Sequence, residues 1–202
     1  MKQLCLTALL LAPALATAQT NAPALKVGDA IPAVTLRTEE NKEIKLREII
    51  AGKTTVLIFY RGGWCPYCNR HLQALVSIEK DLLAAGAQLL AISPDQPSKL
   101  KETPDRDKLG YRLLSDSDAA AAQAFGLAFK VDDATVEKYK TYKIDLDAAS
   151  GKSHHLLPHP AVFVAGTNGV IRFAHVNPDY KIRLEPAAIL KAVRDATTAP
   201  GL

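Results

Sequence analysis

Residues 54–69 read TTVLIFYRGGWCPYCN, and this stretch decides the fold. Its first seven residues form a continuous apolar and β-branched run, which is typical of a strand buried on both faces of a sheet. Gly62 and Gly63 then allow a sharp turn. Pro66 suits the first turn of a helix, because its missing N–H is not needed there. The stretch therefore predicts a strand that leads through a tight loop into a helix.

The segments that follow continue this alternation. Leucines at helical spacing predict a helix over residues 66–85, and residues 88–92 form a second buried strand. A strand, a helix and a strand in this order indicate a parallel sheet. Asn168-Gly169 between two strand-like runs predicts a hairpin, and residues 185–196 predict a last helix. The predicted fold class is α/β, a central mixed sheet with helices on both faces.

The first eighteen residues have the pattern of a secretory signal peptide. Lys2 is followed by a short apolar core and by Ala16-Thr17-Ala18, a small-residue site of the kind that signal peptidases cut. The apolar core is shorter than the roughly 20 residues that a membrane-spanning helix requires. We therefore expect an exported protein, periplasmic or secreted, without a membrane anchor after cleavage; an uncleaved anchor is the alternative.

Length and composition limit the possible domain organisation and partners of the mature chain. Cleavage leaves 202 − 18 = 184 residues, a formal charge of 4 − 1 = +3 and two of the three cysteines. The charges are spread along the chain, which argues against nucleic-acid binding. We predict a flexible arm at 19–26 and one domain at 27–198. Within that domain, the irregular residues 131–160 predict an inserted loop before the last hairpin, with a helix around Val136 and Tyr139 in its first half.

The two remaining cysteines, Cys65 and Cys68, lie where the helix begins, one turn apart on one face. Unpaired backbone N–H groups and the helix dipole favour a thiolate at Cys65. A free thiol of pKa about 8.5 is only ~3% thiolate at pH 7, and lowering its pKa by about two units requires roughly 2.7 kcal/mol. The dipole typically supplies ~0.3–1 kcal/mol. A second source is required, for which the loop amides and Arg61 are candidates; a solvated Arg61 without this role is the alternative.

Other interpretations of the cysteine pair compete with redox chemistry. A static disulfide across a two-residue gap would close a very short loop and remove little entropy from the unfolded chain. A zinc site needs about four ligands, for which the candidates beside the cysteines are His154, His155, His159 and His175. Two unrelated buried cysteines would not explain the Gly-Gly-Trp approach. The pattern favours a pair that cycles between thiols and disulfide, without a metal or a cofactor.

At these residues the chain resembles the alkyl hydroperoxide reductase/thiol-specific antioxidant family, a peroxiredoxin-like branch of the thioredoxin-fold superfamily. The resemblance is carried by residues 59–69, 91–95 and 170–174, within a span of about 27–196. It implies a thioredoxin-like fold in which Cys65 reduces a hydroperoxide and Cys68 resolves the product to a Cys65–Cys68 disulfide. An external dithiol, either a thioredoxin-like protein or a small thiol, would then reduce that disulfide.

The resemblance assigns a role to Pro160, and the position of His159 beside it makes that histidine a further candidate. Pro160 occupies the place of a cis-proline that faces the cysteines; a plain proline at a strand start is the alternative. An imidazole at His159 would favour the thiolate or pass protons, unless it is a loop histidine without a chemical role. The candidate catalytic residues are Cys65, Cys68, Arg61 and Pro160. The candidates for binding a substrate or partner are Gly63, Trp64, Pro66, Tyr67 and His159.

Departures from the family pattern leave other functions open. Gly62 stands where peroxiredoxins carry a peroxide-binding Thr or Ser, and no arginine is evident at 160–163. Cys-Pro-Tyr-Cys is instead typical of disulfide oxidoreductases, so thiol–disulfide exchange with exported proteins is the alternative function. A copper-binding module that uses the cysteines with His159 or His175 is a third hypothesis. The sequence does not indicate an oligomeric state.

Overall fold

A computed structural model of the chain describes residues 22–198, so the predicted signal peptide lies outside the described residues. The strands are β1 (Thr35–Arg37), β2 (Glu43–Lys45), β3 (Thr54–Phe59), β4 (Ala87–Ser93), β5 (Arg112–Ser115), β6 (Ala128–Lys130), β7 (Leu156–Pro158), β8 (Ala161–Ala165) and β9 (Ile171–Val176). The α-helices are α1 (Leu46–Ile50), α2 (Pro66–Leu75), α3 (Glu79–Ala84), α4 (Pro97–Lys101), α5 (Ala120–Ala124), α6 (Asp133–Thr141), α7 (Leu146–Ser150) and α8 (Pro186–Thr198). No helix within residues 22–198 is long and apolar enough to cross a membrane.

Seven strands form one mixed sheet in the order β2-β1-β5-β4-β3-β8-β9. β4 pairs parallel with both β3 and β5, as the strand-helix-strand order predicted. β8 pairs antiparallel with β3 and with β9, and the predicted hairpin at Asn168-Gly169 joins β8 to β9. The predicted fold class is confirmed. β6 and β7 form a separate two-stranded sheet.

β3 lies inside this sheet, between β4 and β8, and is buried along its whole length. Val56 and Ile58 pack into the core on the face that α2, α3 and α8 cover, whereas Leu57 and Phe59 pack into the core of the opposite face. The prediction of a strand buried on both faces is confirmed. Because β3 is held from both sides and by both neighbouring strands, the loop at its carboxyl end starts from a rigid position.

The helix that follows the cysteine pair is shorter than predicted. The sequence indicated one helix over 66–85, but α2 ends at Leu75, a 3₁₀ turn covers Val76–Ile78, and α3 follows. The hydroxyl of Ser77 donates a hydrogen bond to the carbonyl of Ala74 at 2.7 Å. Such a bond from a side chain to its own helix competes with the regular ladder, and the neighbouring β-branched residues have lower helix propensity.

The segment predicted as an inserted loop is largely ordered into helices and a strand. α6 confirms the helix expected around 136–139, but α7 and β7 occupy much of the remainder, where a surface loop was expected. Two aspartates cap the helices: Asp132 accepts from the backbone of Thr135, and Asp145 accepts from that of Ala148, each at 2.9 Å. A small apolar cluster in this segment packs against Trp64. The insertion therefore lies against the cysteine loop.

The described part of the predicted flexible arm is packed against the domain. The backbone N–H of Leu25 donates to the carbonyl of Phe125 at 3.1 Å, and the side chains of Ala24 and Leu25 contact the second core cluster. At Gly126, a Cβ would lie 2.3 Å from the carbonyl oxygen of Pro23, so the absence of a side chain allows this close approach. The expectation of a loose arm is wrong for residues 22–26, while residues 19–21 lie outside the described part of the chain.

Candidate active site

The loop between β3 and α2 places Cys65 at the start of a helix. Gly62 has a φ of +144°, a conformation that favours glycine, and its carbonyl accepts a hydrogen bond from the N–H of Cys65 at 3.1 Å. Cys65 has extended backbone and directly precedes Pro66, the first helical residue. Its carbonyl accepts the first hydrogen bond of the helix, from the N–H of Asn69 at 3.0 Å. Cys65 thus occupies the N-cap position, where a negative charge is favoured.

Cys65 and Cys68 are free thiols and both are buried, with exposed fractions of 2% and 0%. A hydrogen bond from the Cys68 thiol, helped by the Cys68 backbone and the charges of Arg61 and Arg183, lowers the pKa of Cys65 to about 6 against the opposing effect of burial. Burial raises the pKa of Cys68 well above that of a free thiol, and its hydrogen bond to Cys65 raises it further. Cys65 is therefore suited to act as the nucleophile, while Cys68 keeps its proton as long as Cys65 is a thiolate.

Arg61 is a buried cation held by aromatic rings. Its exposed fraction is 3%, and its guanidinium donates a hydrogen bond to the hydroxyl of Tyr139. The guanidinium carbon lies 4.0 Å from the ring centre of Tyr180, 5.1 Å from that of Trp64 and 5.5 Å from that of Tyr139. No Asp or Glu within residues 22–198 forms an ion pair with it. Its positive charge is therefore available to stabilise the Cys65 thiolate.

A second guanidinium, which the sequence analysis missed, reaches the cysteine pair. The Nη2 atom of Arg183 lies 3.2 Å from Sγ of Cys68. Arg183 belongs to the loop between β9 and α8, and the carbonyl of the next residue, Leu184, lies 3.2 Å from Nε2 of His71 on α2. Arg183 is 115 positions from Cys68 along the chain, and no local pattern marks it as a site residue.

Pro160 is not a cis-proline, because no peptide bond within residues 22–198 is cis. It directly precedes β8, and its carbonyl accepts a hydrogen bond from the N–H of Asn177 at 3.0 Å. The expectation of a cis bond at Pro160 is therefore wrong, and the alternative of a plain proline at a strand start describes it.

His159 packs on an aromatic ring. Its imidazole stacks on Phe129 with the ring centres 4.5 Å apart, and burial lowers its pKa. A neutral imidazole at His159 does not provide a positive charge that would favour the Cys65 thiolate. The charges that lower the pKa of Cys65 come from Arg61 and Arg183 instead.

The other predicted binding residues surround the loop. Trp64 is half-buried and packs against Tyr139, with the ring centres 5.8 Å apart. Tyr67 meets Tyr180 edge to face at 5.6 Å, and Pro66 is exposed at the start of α2. Aromatic rings from the α2 start, from α6 and from the β9–α8 loop therefore meet beside the cysteines. Of these rings, the sequence indicated only Trp64 and Tyr67 as site residues.

The family model of AhpC/TSA matches residues 27–174 of the chain, a range that includes both cysteines. The chain belongs to the AhpC/TSA family. Peroxiredoxin Bcp of Escherichia coli (strain K12) is 30% identical over 103 residues, which is 51% of this chain and 65% of that protein. This AhpC/TSA chain thus spans just under two thirds of the length of the first curated relatives that it matches.

Solved structures share the fold of this AhpC/TSA chain. Peroxidoxin BcpB from Mycobacterium tuberculosis aligns with a TM-score of 0.65 and 18% identity, over 85% of this chain and 97% of its own. Reduced Prx3 from Vibrio vulnificus in complex with hydrogen peroxide aligns with a TM-score of 0.67 and 20% identity, over 84% of this chain and 99% of its own. These likenesses support the thioredoxin-like fold.

The two arginines at the site of this AhpC/TSA chain lie on two loops. Residues 160–163, where the family resemblance indicated an arginine, contain none. Arg61 reaches the site from the β3–α2 loop, and Arg183 reaches it from the β9–α8 loop. Within residues 22–198, no group of three or more His, Cys, Asp or Glu side chains is placed to hold a metal ion.

Asp95, which follows β4, is hydrogen-bonded to the loop that carries Cys65. Its Oδ2 accepts a hydrogen bond from the N–H of Gly63 at 2.7 Å and another from the hydroxyl of Ser93 at 3.2 Å. Its Oδ1 is buried without a hydrogen-bond partner, and burial raises the pKa of Asp95 to about 6. The carboxyl also lines a cavity of about 320 Å³ that Trp64 and Lys99 share. Residues 91–95 carried the family resemblance, but the sequence assigned no role to Asp95.

Asp95→Asn is expected to stabilise the protein at pH 8 by on the order of 1–3 kcal/mol. The amide oxygen of asparagine can still accept from Gly63, and the cost of ionising a buried carboxyl disappears. Because the pKa is higher in the folded state than in the unfolded one, the wild type loses stability as the pH rises from about 4 through 6. Urea unfolding at pH 4 and pH 8 measures this, with the exposed Asp81→Asn as the control. A loss of stability at pH 8, or an equal gain at both pH values, would contradict the expectation.

Proposed function

We propose that this member of the AhpC/TSA family is a thiol peroxidase in which Cys65 reduces a hydroperoxide and Cys68 resolves the oxidised Cys65. The observation that carries the proposal is the buried Cys65 thiol at the start of α2, whose pKa is lowered to about 6 chiefly by a hydrogen bond from Cys68. A thiol with this pKa is about 90% thiolate at pH 7. The thiolate is the form that attacks an O–O bond.

The proposed reaction has three steps. The Cys65 thiolate attacks one peroxide oxygen, the O–O bond breaks, and the leaving oxygen takes up a proton to become an alcohol or water. Cys65 is then a sulfenic acid. Cys68 attacks its sulfur, an S–S bond forms, and the sulfenic oxygen leaves as water. An external dithiol, either a thioredoxin-like protein or a small thiol, reduces the disulfide through a mixed disulfide.

Burial of the nucleophile favours a small substrate. Cys65 is only 2% exposed, and Trp64 and Tyr180, whose rings contact Arg61, pack against the core cluster that contains Cys65. Hydrogen peroxide needs far less space than a bulky organic hydroperoxide. We therefore expect a higher rate constant with hydrogen peroxide than with cumene hydroperoxide.

Export remains part of the proposal. It is supported by the basic start, the short apolar core and the Ala16-Thr17-Ala18 site in the sequence. Sequencing the amino terminus of the protein recovered from a periplasmic or culture fraction tests it, with residue 19 as the expected start.

The rate of reaction with hydrogen peroxide is expected to rise with pH through about 6 and to level off above about 7. The thiolate fraction of Cys65 changes in that window, since its pKa is lowered to about 6. Arg61→Met should move the midpoint to higher pH, because it removes a charge that favours the thiolate. Stopped-flow fluorescence of Trp64, the only tryptophan, measures the rate, and the exposed Arg194→Met is the control.

Two outcomes would overturn the proposed function. One is a rate constant no greater than that of a free thiol at the same pH. The other is a pH midpoint near 8.5, where an unperturbed thiol titrates.

The alternative of thiol–disulfide exchange with exported proteins uses the same two cysteines. Cys-Pro-Tyr-Cys is what favours it, while the trans bond before Pro160 removes one of its supports. A Cys68→Ser variant would trap partner proteins on Cys65 as mixed disulfides. Abundant trapped partners together with a slow peroxide reaction would favour this alternative over the peroxidase.

A further inference from the structure

We propose that Arg183 is a catalytic residue of the resolving step, in which Cys68 attacks the oxidised Cys65; this inference rests on the proposed peroxidase function. The Nη2 atom of Arg183 lies 3.2 Å from Sγ of Cys68, a contact between a fixed positive charge and the sulfur that must become a nucleophile. Hydrogen bonds to a charged partner are about twice as strong as neutral ones. Arg183 is thus placed to favour the anionic form of Cys68.

Neighbouring residues hold the loop that carries Arg183. The carbonyl of Leu184 lies 3.2 Å from Nε2 of His71, and Nη1 of Arg183 lies 3.5 Å from the carbonyl of Ile182. In the same loop, Tyr180 lies over the guanidinium of Arg61. The contact between Arg183 and Cys68 therefore belongs to a packed segment of the site.

Arg183 has no carboxylate to neutralise it. Within residues 22–198 it forms no ion pair with an Asp or Glu, and its buried Nε has no hydrogen-bond partner. Its charge helps to lower the pKa of Cys65 and partly opposes the rise in the pKa of Cys68. The charge of Arg183 thus acts on both cysteines without a carboxylate to neutralise it.

The charge of Arg183 acts on the Cys65 thiolate before oxidation and on Cys68 after it. In the reduced protein the negative charge rests on Cys65, and burial together with the hydrogen bond to Cys65 keeps the proton on Cys68. Oxidation of Cys65 to a neutral sulfenic acid removes that negative charge, whereas Arg183 stays in contact with Cys68. The anionic form of Cys68 then becomes accessible.

The step balances as a condensation of a thiol with a sulfenic acid. Cys68 releases its proton and its sulfur forms the S–S bond, while the S–O bond of Cys65 breaks. The departing hydroxide takes up one proton and leaves as water. Cys68 is oxidised, the sulfenic sulfur is reduced, and no further oxidant is required.

Other titratable groups near the cysteine pair must be distinguished from Cys68 in a pH profile. Besides Arg183, the titratable and charged groups around the pair are Tyr60, Arg61, Tyr67, His71, Asp95, Tyr139, His175 and Tyr180. Burial, with the charge of Arg183, lowers the pKa of His71 to about 4, so its ring is neutral in the range tested. Burial raises the pKa of Tyr60 well above its usual value, and the pKa of Asp95 is about 6. His71, Tyr60 and Asp95 therefore do not change their charge appreciably between pH 7.5 and pH 9.

Stopped-flow oxidation by hydrogen peroxide separates the two steps. The first phase of Trp64 fluorescence depends on peroxide concentration and reports oxidation of Cys65, whereas the second does not and reports disulfide formation. Arg183→Met is expected to slow the second phase at least about tenfold at pH 7.5 and to slow the first phase less. It should also move the pH profile of the second phase upward, and Arg183→Lys should restore part of the rate. Arg194→Met, which removes an exposed arginine of α8, should change neither phase.

An unchanged second phase, or equal slowing of both phases, would overturn the role of Arg183. A wild type without a peroxide-dependent first phase would overturn the proposed function instead.

A second measurement is independent of peroxide. In a Cys5→Ser, Cys65→Ser protein, absorbance at 240 nm reports ionisation of Cys68 as the pH is raised. Adding Arg183→Met should move the midpoint upward by at least about one unit, a tenfold change in thiolate population, and no shift would refute the contact as a source of anionic Cys68.

Discussion

Cys65→Ser is expected to lower the rate constant for hydrogen peroxide by at least about a thousandfold, within the range that loss of a catalytic nucleophile costs in other enzymes. A serine hydroxyl is not ionised near neutral pH. The hydrogen bond from Cys68, the position at the start of α2 and the nearby arginines favour an anion that serine cannot supply. Peroxide consumption at pH 7 in the presence of a dithiol measures the loss.

Cys68→Ser is the matched comparison, because it removes a sulfur from the same helix turn. We expect it to keep a peroxide-dependent oxidation of Cys65, which then stops at the sulfenic acid and proceeds to the sulfinic acid with excess peroxide. Mass spectrometry after trapping with dimedone distinguishes these forms. The opposite result, in which Cys65→Ser retains the reaction and Cys68→Ser loses it, would reverse the two assigned roles.

The centre of the fold was predictable because its signals are local. Residues 54–60 are apolar without interruption, and the middle of the sheet is where such a run can be buried on both faces. The hairpin at Asn168-Gly169 was predictable because few turns suit that dipeptide. The break between α2 and α3 coincides with a hydrogen bond from the hydroxyl of Ser77 to the carbonyl of Ala74, a feature that helical periodicity does not register.

The site was only partly predictable, and the difference follows from distance along the chain. Cys65, Cys68 and Arg61 lie within eight consecutive residues, so their spacing carries the information. Arg183 and Tyr180 belong to the loop between β9 and α8, which no periodic pattern marks. The tertiary fold brings Arg183 to Cys68 and Tyr180 to Arg61. Neither contact has a signal in a single sequence.

The sequence alone could not determine whether the peptide bond before Pro160 is cis or trans. A proline at the start of a strand is compatible with either isomer, and only the surrounding backbone selects one. Here the trans bond leads directly into β8, and the carbonyl of Pro160 is already used by the N–H of Asn177. The family resemblance indicated a place for this proline and not its geometry.

Gly62→Ala is expected to destabilise the protein by about 2–4 kcal/mol and to remove most of the peroxide reactivity. Gly62 has a φ of +144°, which is strained for any side chain. An added Cβ would lie 2.3 Å from Nε1 of Trp64 and 2.7 Å from Oδ1 of Asp95, so the indole or the buried carboxyl must move. Because the carbonyl of Gly62 accepts the hydrogen bond from Cys65, that movement also displaces the nucleophile.

Gly28→Ala separates strain from steric overlap. Gly28 also has a positive φ, +95°, but an added Cβ there would meet nothing within 4 Å. We expect it to cost only about 1 kcal/mol and to leave the peroxide reaction unchanged. Urea unfolding measures both stabilities, and near-ultraviolet circular dichroism reports the surroundings of Trp64. If Gly62→Ala is no more destabilising than Gly28→Ala and keeps the wild-type rate, the close packing of Trp64 and Asp95 against this loop is not what positions Cys65.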